Sequence, residues 1–296
     1  MSSGRPTTNA SAARTLLKLS PLLIPFVVLF LGGLTLALGQ SLGFWVPVPH
    51  EGGMFSAYTE LMRPHILAAA THSLWVALIS TILSVSMGSI IAYLIWCLPQ
   101  RLERMSVVYK VPLILPHIAV AFIVLIFWSQ SGVIASVGHT LGLVETPGDF
   151  PSLLHGGSGA GMILAYAYKE IPFVIILAFA VLKRLDPRLV QTAIMLGAGP
   201  VSVFFRVVLP HMRPALNTAA IILFLYAFGA FDIPFLLGES SPGMLSIEAY
   251  NLYFRRDLVT RPVAMAILVC MFVFSLTFIV IYTRIAARLS GKDRKL

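Results

Sequence analysis

The sequence predicts an all-α integral membrane protein: six transmembrane helices, both termini on the cytoplasmic side, and a helical loop between the fourth and fifth spans. Three observations carry that expectation. Hydrophobic residues make up 58% of the chain and charged residues only 11%, less than half the charged share of an average soluble domain. Six apolar runs, about 21–39, 66–96, 107–130, 161–182, 214–238 and 263–286, are each long enough to cross ~30 Å of hydrocarbon. No run alternates polar and apolar residues as barrel strands do, so in lipid the backbone can satisfy its hydrogen bonds only as helix.

Residues 1–20 read as a cytoplasmic tail. Arg14 and Lys18 precede the first run and Ala37-Leu38-Gly39 resembles a cleavage site. The run is longer than the ~7–15 apolar residues of a secretory signal, so an uncleaved first span is expected. The second run exceeds what a span needs and must tilt or project. Residues 21–286 then form one transmembrane domain without linker or internal repeat, and 287–296 a second cytoplasmic tail.

Orientation follows from Lys and Arg in the connections. With the N-terminus inside, sixteen fall on the cytoplasmic side: Arg5, Arg14, Lys18, Arg101, Arg104, Lys110, Lys183, Arg184, Arg188, Arg206, Arg213, Arg284, Arg288, Lys292, Arg294 and Lys295. Only Arg63, Arg255, Arg256 and Arg261 fall outside, and the group at 255–261 runs against the trend with only Asp257 to offset it.

The net charge of +9 flanks apolar runs instead of forming a patch interleaved with aromatics, which argues against nucleic acid. Cys97 and Cys270 lie in or at the end of apolar stretches, where a thiol acts as a small hydrophobe and not as half of a disulfide or a metal ligand. The seven His show no pair at metal-ligand spacing. The Gly-rich segment 155–161 follows no strand, so it reads as a loop entering the fourth span and not as a phosphate cradle.

The connection 183–213 has definite local grammar. Asp186-Pro187 reads as an N-cap followed by proline in the first turn, with Leu189, Ala193 and Leu196 at helical spacing. That helix stops at Gly197-Ala198-Gly199; Pro200 opens a second with Val203, Phe204, Val207 and Val208 on one face, ended by Leu209-Pro210 before Pro214 starts the fifth span. Read plainly, this is an amphipathic hairpin at the membrane surface.

Gln191-Thr192-Ala193, Gly197-Ala198, Phe204 and Leu209-Pro210 resemble, in spacing, the EAA loop of the permease subunits of bacterial binding-protein-dependent ABC importers (the MetI-like transmembrane domain). Gln191 stands for the usual Glu and Thr192 for the usual Ala. The segments 112–116, 169–173 and 228–234 are similar to the same family, closest to its polyamine, iron, thiamine and phosphonate branch, and the resemblance covers roughly 66–286. It implies a coupling helix seated on a separate ATPase, with Gln191, Thr192, Ala193, Gly197, Ala198, Phe204, Leu209 and Pro210 at the contact. It also implies two ATP-binding subunits holding the ATP and Mg, a second permease (a heterodimer favoured), and a periplasmic or lipid-anchored solute-binding protein. The chain itself carries no cofactor and no catalytic or metal residues on this reading. Its only Gly-Lys pair, at 291–292, is followed by Asp293 and makes no phosphate-binding loop.

Charges inside spans are expensive and face the bundle interior. Lys169 and Glu170 in the fourth run and Asp232 in the fifth are therefore pathway candidates, together with Pro172 and Pro234. Lys169 is expected to pair with Asp232, leaving Glu170 nearer the path; a purely structural pair is the plainer reading. Pro112, Pro116, Pro172 and Pro234 are expected to interrupt spans, and Tyr166, Tyr168, Phe228 and Phe231 to serve packing. External acids Glu145, Asp149, Glu239 and Glu248 lean the substrate toward a small polar or cationic solute, polyamine-like. The alternatives are a secondary transporter with no ATPase partner, which gives no reason for the loop spacing, and a membrane enzyme, for which no cluster of catalytic carboxylates or His is seen.

Overall fold

A computed structural model of the chain describes residues 8–48, 53–99, 106–154, 156–239 and 241–293; Arg5, Arg101, Arg104, His155, Arg294 and Lys295 lie outside them. Among the described residues there is no strand, and six helices are long and apolar enough to cross a membrane. These are Leu17–Ser41, Pro64–Trp96, His117–Thr140, Ala160–Leu182, Pro200–Gly229 and Leu258–Arg288. The six-span, all-helical expectation is met.

The chain divides into two units. The first comprises Met1–Met62 and Ala249–Phe272. It holds α1 (Thr8–Ser41), whose outward side chains are apolar on nearly every face, and the short α2 (Ser56–Glu60). Ser41 Oγ meets Tyr58 OH at 2.8 Å, and Phe30 meets Phe272 edge-on at 6.2 Å. Here the anomalous basic group finds its account. Arg261 lies 4.7 Å over the Tyr253 ring and donates to the Tyr253 carbonyl at 3.3 Å, while Arg255 lies 5.7 Å over Tyr250. Aromatic faces, not only a neighbouring carboxylate, receive these guanidinium groups.

The second unit comprises Arg63–Glu248 and Val273–Leu296. α3 (Pro64–Trp96) is the long second span, opened by Pro64 in its first turn. The third run does not form one helix. A 3₁₀ turn, Ser106–Lys110, leads into α4 (Val111–Ile114); Leu115 and Pro116 are extended, and α5 (His117–Trp128) and α6 (Val133–Thr140) follow. The fourth span is α7 (Ala160–Leu182). α8 (Pro187–Met195) and α9 (Pro200–Val203) make the loop, and α10 (Leu209–Gly229) is the body of the fifth span. α11 (Asp232–Leu237) and the start of α12 (Leu245–Tyr250) follow, and the part of α13 (Arg261–Asp293), the helix of the sixth span, that lies in this unit begins at Val273.

Two differences from the sequence reading have physical causes. Leu209-Pro210 does not end the loop's second helix: it runs on from Pro200 to Gly229 through a π turn, Phe204–Val208, in which the Leu209 N–H bonds Phe204 O. Widening the turn makes room for the Pro210 ring, which has no N–H and would clash with the preceding turn of a regular helix. The fifth span also stops sooner, because Ala230 is extended. Of the prolines expected to interrupt spans, only Pro116 sits at a break. Pro172 lies inside unbroken α7, and Pro112 and Pro234 occupy the starts of α4 and α11, where a missing N–H costs little.

The core of this unit is the contact between α3 and α7. Gly88 is what lets it close: a Cβ there would fall 2.6 Å from Val174 Cβ and 3.1 Å from the Ile171 carbonyl oxygen. Such overpacking costs about 1–3 kcal/mol. Gly88→Ala is therefore expected to lower the thermal midpoint of the detergent-purified protein, and Gly88→Leu to prevent accumulation in the membrane; an unchanged midpoint for Gly88→Ala would contradict this packing.

Candidate functional site: the 183–213 loop and a mid-membrane polar face

The first helix of the loop is capped at both ends by its own residues. Asp186 Oδ1 accepts from the Arg188 N–H at 2.9 Å, supplying the N-cap of α8. At the other end Ala198 N–H donates to Ala193 O at 3.0 Å and Gly197 N–H to Ile194 O at 2.9 Å, with Gly197 at φ +84°. That pair of bonds is a Schellman ending, and it needs a left-handed residue at position 197. Gly199 returns to extended geometry and Pro200 starts the next helix.

Two faces result. The inner one, Val190, Ala193, Ala198, Phe204 and Leu209, packs on a buried cluster that includes Leu182, Leu185, Val203, Val208 and Met212. Phe204 meets Tyr93 of α3 at 5.3 Å and Phe205 edge-on at 5.1 Å. The outer face carries Ile194, Met195, Leu196, Val201 and Phe205, with Met195 87% and Leu196 83% exposed. A cavity of about 400 Å³ between the two arms is lined by Leu196, Gly197, Ser202 and Arg206, among others. Gln191 and Thr192 are exposed; the Thr192 hydroxyl donates back to Arg188 O at 2.8 Å. Pro210 is half-buried at the start of α10. Helical spacing alone left the packed side of α8 open. Leu189 and Leu196 point outward, and Val190 joins Ala193 on the packed face, because the helix is too short for period alone to fix its inner side.

The second site is a face of α7. Lys169 and Glu170 lie nine and ten residues from Ala160, or roughly 14 Å along the axis at ~1.5 Å per residue. The expected Lys169–Asp232 pair does not form. Lys169 Nζ donates instead to the carbonyls of Leu115 and, at 3.5 Å, Leu113. The break at Leu115-Pro116 leaves those oxygens without helical partners, and they claim the ammonium. Asp232 is carried away by the turn at Ala230 to the first residue of α11, where its carboxylate is exposed and within electrostatic reach of His117 and Tyr226.

Glu170 is 2% exposed; its Oε2 accepts from Ser84 Oγ of α3 at 2.9 Å, and its Oε1 has no partner. Tyr166, fully buried, donates to Ala227 O at 3.4 Å, a carbonyl stranded by the second break. Its ring meets Tyr226 edge-on at 6.2 Å, and Tyr226 meets His117 at 4.9 Å. Pro172 and Pro234 are buried beside this region, and the Pro234 carbonyl accepts from the Gly238 N–H at 2.8 Å. Phe228 stacks on Phe224 and meets Phe274 at 4.9 Å, while Phe231 stacks on Phe235, as packing roles require.

Ser84, Tyr226, His117 and the carbonyls of Leu113, Leu115 and Ala227 escaped the sequence reading. The prolines were a signal for the freed carbonyls; nothing in the sequence singled out Ser84. The acids read as external are mostly engaged locally. Glu239 Oε1 accepts from the Gly157 N–H at 2.6 Å, and Glu248 lies 3.6 Å from His65. Asp149 accepts from the backbone N–H and the hydroxyl of Thr146, which hold its carboxyl below the usual range.

Six spans, with the chain broken at Leu115-Pro116 before the third and at Ala230 after the fifth, both beside a polar face at the middle of the fourth, and a capped helical hairpin between spans four and five, define a multi-pass membrane permease. A family model for the binding-protein-dependent transport system inner membrane component matches residues 88–291, and the chain belongs to that family: it is a permease subunit of a binding-protein-dependent ABC importer, a multi-pass protein of the bacterial inner membrane. It is 29% identical over 193 residues to the molybdenum transport system permease ModB of Azotobacter vinelandii, covering 65% of this chain and 81% of that one. It is 25% identical over 182 residues to the spermidine/putrescine transport system permease PotB of Escherichia coli, covering 61% of this chain and 64% of PotB, just under two thirds of its length. Among solved structures, a bacterial ABC transporter that imports alginate superposes with a TM-score of 0.77 at 19% identity, over 95% of this chain and 98% of that one, a likeness of fold.

Removing the hydroxyl that serves Glu170 is expected to leave a buried carboxyl oxygen without its donor, at a cost of about 1–3 kcal/mol. Ser84→Ala therefore lowers the thermal midpoint in detergent, whereas Ser84→Thr, which keeps a hydroxyl, stays near the parent; equal midpoints for all three would show that the bond does not hold.

Proposed function

We propose that this chain forms half of a solute translocation pathway, with the 183–213 loop as the coupling element gripped by a separate ATPase. The observation that carries the reading is the two-faced loop. One face is welded to the bundle through Phe204 and the cluster around Leu182 and Met212, while Met195 and Leu196 stand out in full exposure. An apolar surface of this kind on a capped, rigid support suits a protein groove. The spacing of Gln191, Gly197, Phe204 and Pro210 supports the same assignment.

On this reading both termini and the loop are cytoplasmic, as the Lys and Arg distribution favours. Two ATP-binding subunits supply ATP, Mg and hydrolysis, a second and different permease completes the path, and an external solute-binding protein delivers the substrate. Gln191 keeps hydrogen-bonding capacity at the contact but contributes no charge. Lys169, Glu170, Pro172, Asp232 and Pro234 line or support the path near mid-depth.

For the substrate we favour a small cation of the polyamine kind. Support comes from Asp232, exposed at the second break and outside any ion pair with Lys169, and from the likeness to PotB. The engaged acids Asp149, Glu239 and Glu248 add little. The likeness to ModB favours a second reading, a small oxyanion. Titrating the cognate binding protein with spermidine, putrescine and molybdate decides between them.

The test of the main reading is co-purification with the partner ATPase and ATP-dependent uptake in proteoliposomes. Gly197→Val forces a β-branched residue into left-handed geometry and is expected to abolish uptake and release the ATPase; normal uptake sinks the coupling role. Met195→Cys is expected to react with an impermeant maleimide only from the cytoplasmic side, and labelling from outside reverses the topology.

A further inference from the structure

Tyr166, Lys169 and Glu170 stand three and four residues apart, so they share one face of α7. Each reaches a different span. Tyr166 donates to Ala227 O where the fifth span breaks, and Lys169 donates to Leu113 O and Leu115 O where the third breaks. Glu170 accepts from Ser84 of the second span.

We propose that Lys169 and Tyr166 are positioning residues of the transport cycle, holding the two mid-membrane breaks to α7 so that a displacement of the loop reaches both together. This rests on the reading that an ATPase grips the loop.

The carbonyls they cap are free only because the breaks exist. Leu115 and Pro116 are extended, so Leu113 lacks the N–H four residues on, and Ala230 does the same to the fifth span. In a lipid environment those oxygens must be satisfied within the protein. Satisfying them from a neighbouring helix ties the shape of each break to that helix. α7 runs 23 residues without interruption, and its last turn, at Leu182, shares one buried cluster with Leu185, Val203, Val208 and Met212. A push on the loop therefore enters α7 at that end.

The second span moves with α7 and does not slide past it. Ser84 meets Glu170 and, one turn along both helices, Gly88 meets Val174 with no space for a Cβ. What remains compliant is the pair of breaks, and Lys169 and Tyr166 are the bonds that reach them. Side chains whose task is only to stabilise would give the same contacts, so the distinguishing readout is coupling, not amount.

The experiment uses the full complex with its ATPases and binding protein in proteoliposomes, and reads ATP hydrolysed per solute taken up. The solute is spermidine, or molybdate if the binding protein selects it. Lys169→Met keeps length and loses the donor; its ratio is expected to rise about tenfold, and Tyr166→Phe to raise it about threefold. Lys169→Arg, which retains donors, restores coupling to within about twofold of the parent. A parental ratio in Lys169→Met, including a parallel fall of hydrolysis and uptake, overturns the assignment. If Lys169→Met does not accumulate, Tyr166→Phe, which deletes a single hydroxyl, decides by the same criterion. Failure of the unaltered complex to bind its ATPase or to transport with ATP overturns the parent reading instead, and shows before any variant is tested.

Discussion

The constraint on which the second unit depends is that a polypeptide in hydrocarbon must satisfy its own backbone. A continuous helix does so automatically, and a broken one does not. The third and fifth spans are broken, at Leu115-Pro116 and at Ala230-Phe231, and each leaves carbonyls that would cost about 1–3 kcal/mol apiece if orphaned. The fourth span answers both with one face, an ammonium at 169 and a phenol at 166. That requirement explains why a lysine sits in an apolar helix. It is not half of an ion pair; it replaces missing N–H donors, while the neighbouring Glu170 accepts from Ser84.

The same accounting governs the loop. Its first helix is closed at both ends by its own residues, Asp186 at the start and the Gly197–Ala198 pair of bonds at the finish. A segment that satisfies itself needs no help from its surroundings, so its outer face is left free to be apolar. Rigidity comes from the inner face, where Phe204 against Tyr93 and the π turn before Pro210 make the hairpin and the fifth span one continuous body.

Which features could be read from the chain follows from the range of the forces that make them. Spans were legible because twenty apolar residues have one stable form in lipid. The cap at Asp186, the glycine ending at 197 and the proline opening at 200 were legible because each is a local event within four residues. The inner side of α8 was not, since Leu189 and Leu196 satisfy the period as well as Val190 does, and only the cluster around Met212 chooses between them. Lys169 was recognised as costly, yet its partner was misassigned. Opposite charges advertise themselves in a sequence, whereas a freed carbonyl belongs to whichever residue stands at a break. Ser84 carried no signal at all, one serine among several in a small-residue helix face.

The three charged residues of this region differ in their surroundings. Lys169 donates to carbonyls, and Glu170 accepts from Ser84 through one oxygen while the other has no partner. Asp232 differs: it is exposed at the start of α11, and the aromatic rings of Tyr226 and His117 lie within reach of its field. A carboxylate in that position is tolerable only if water, protein or a cation covers it. Asp232 thus stands apart from Lys169 and Glu170: the break at Ala230 sets it on an exposed position, whereas the other two are buried and bonded to neighbouring helices.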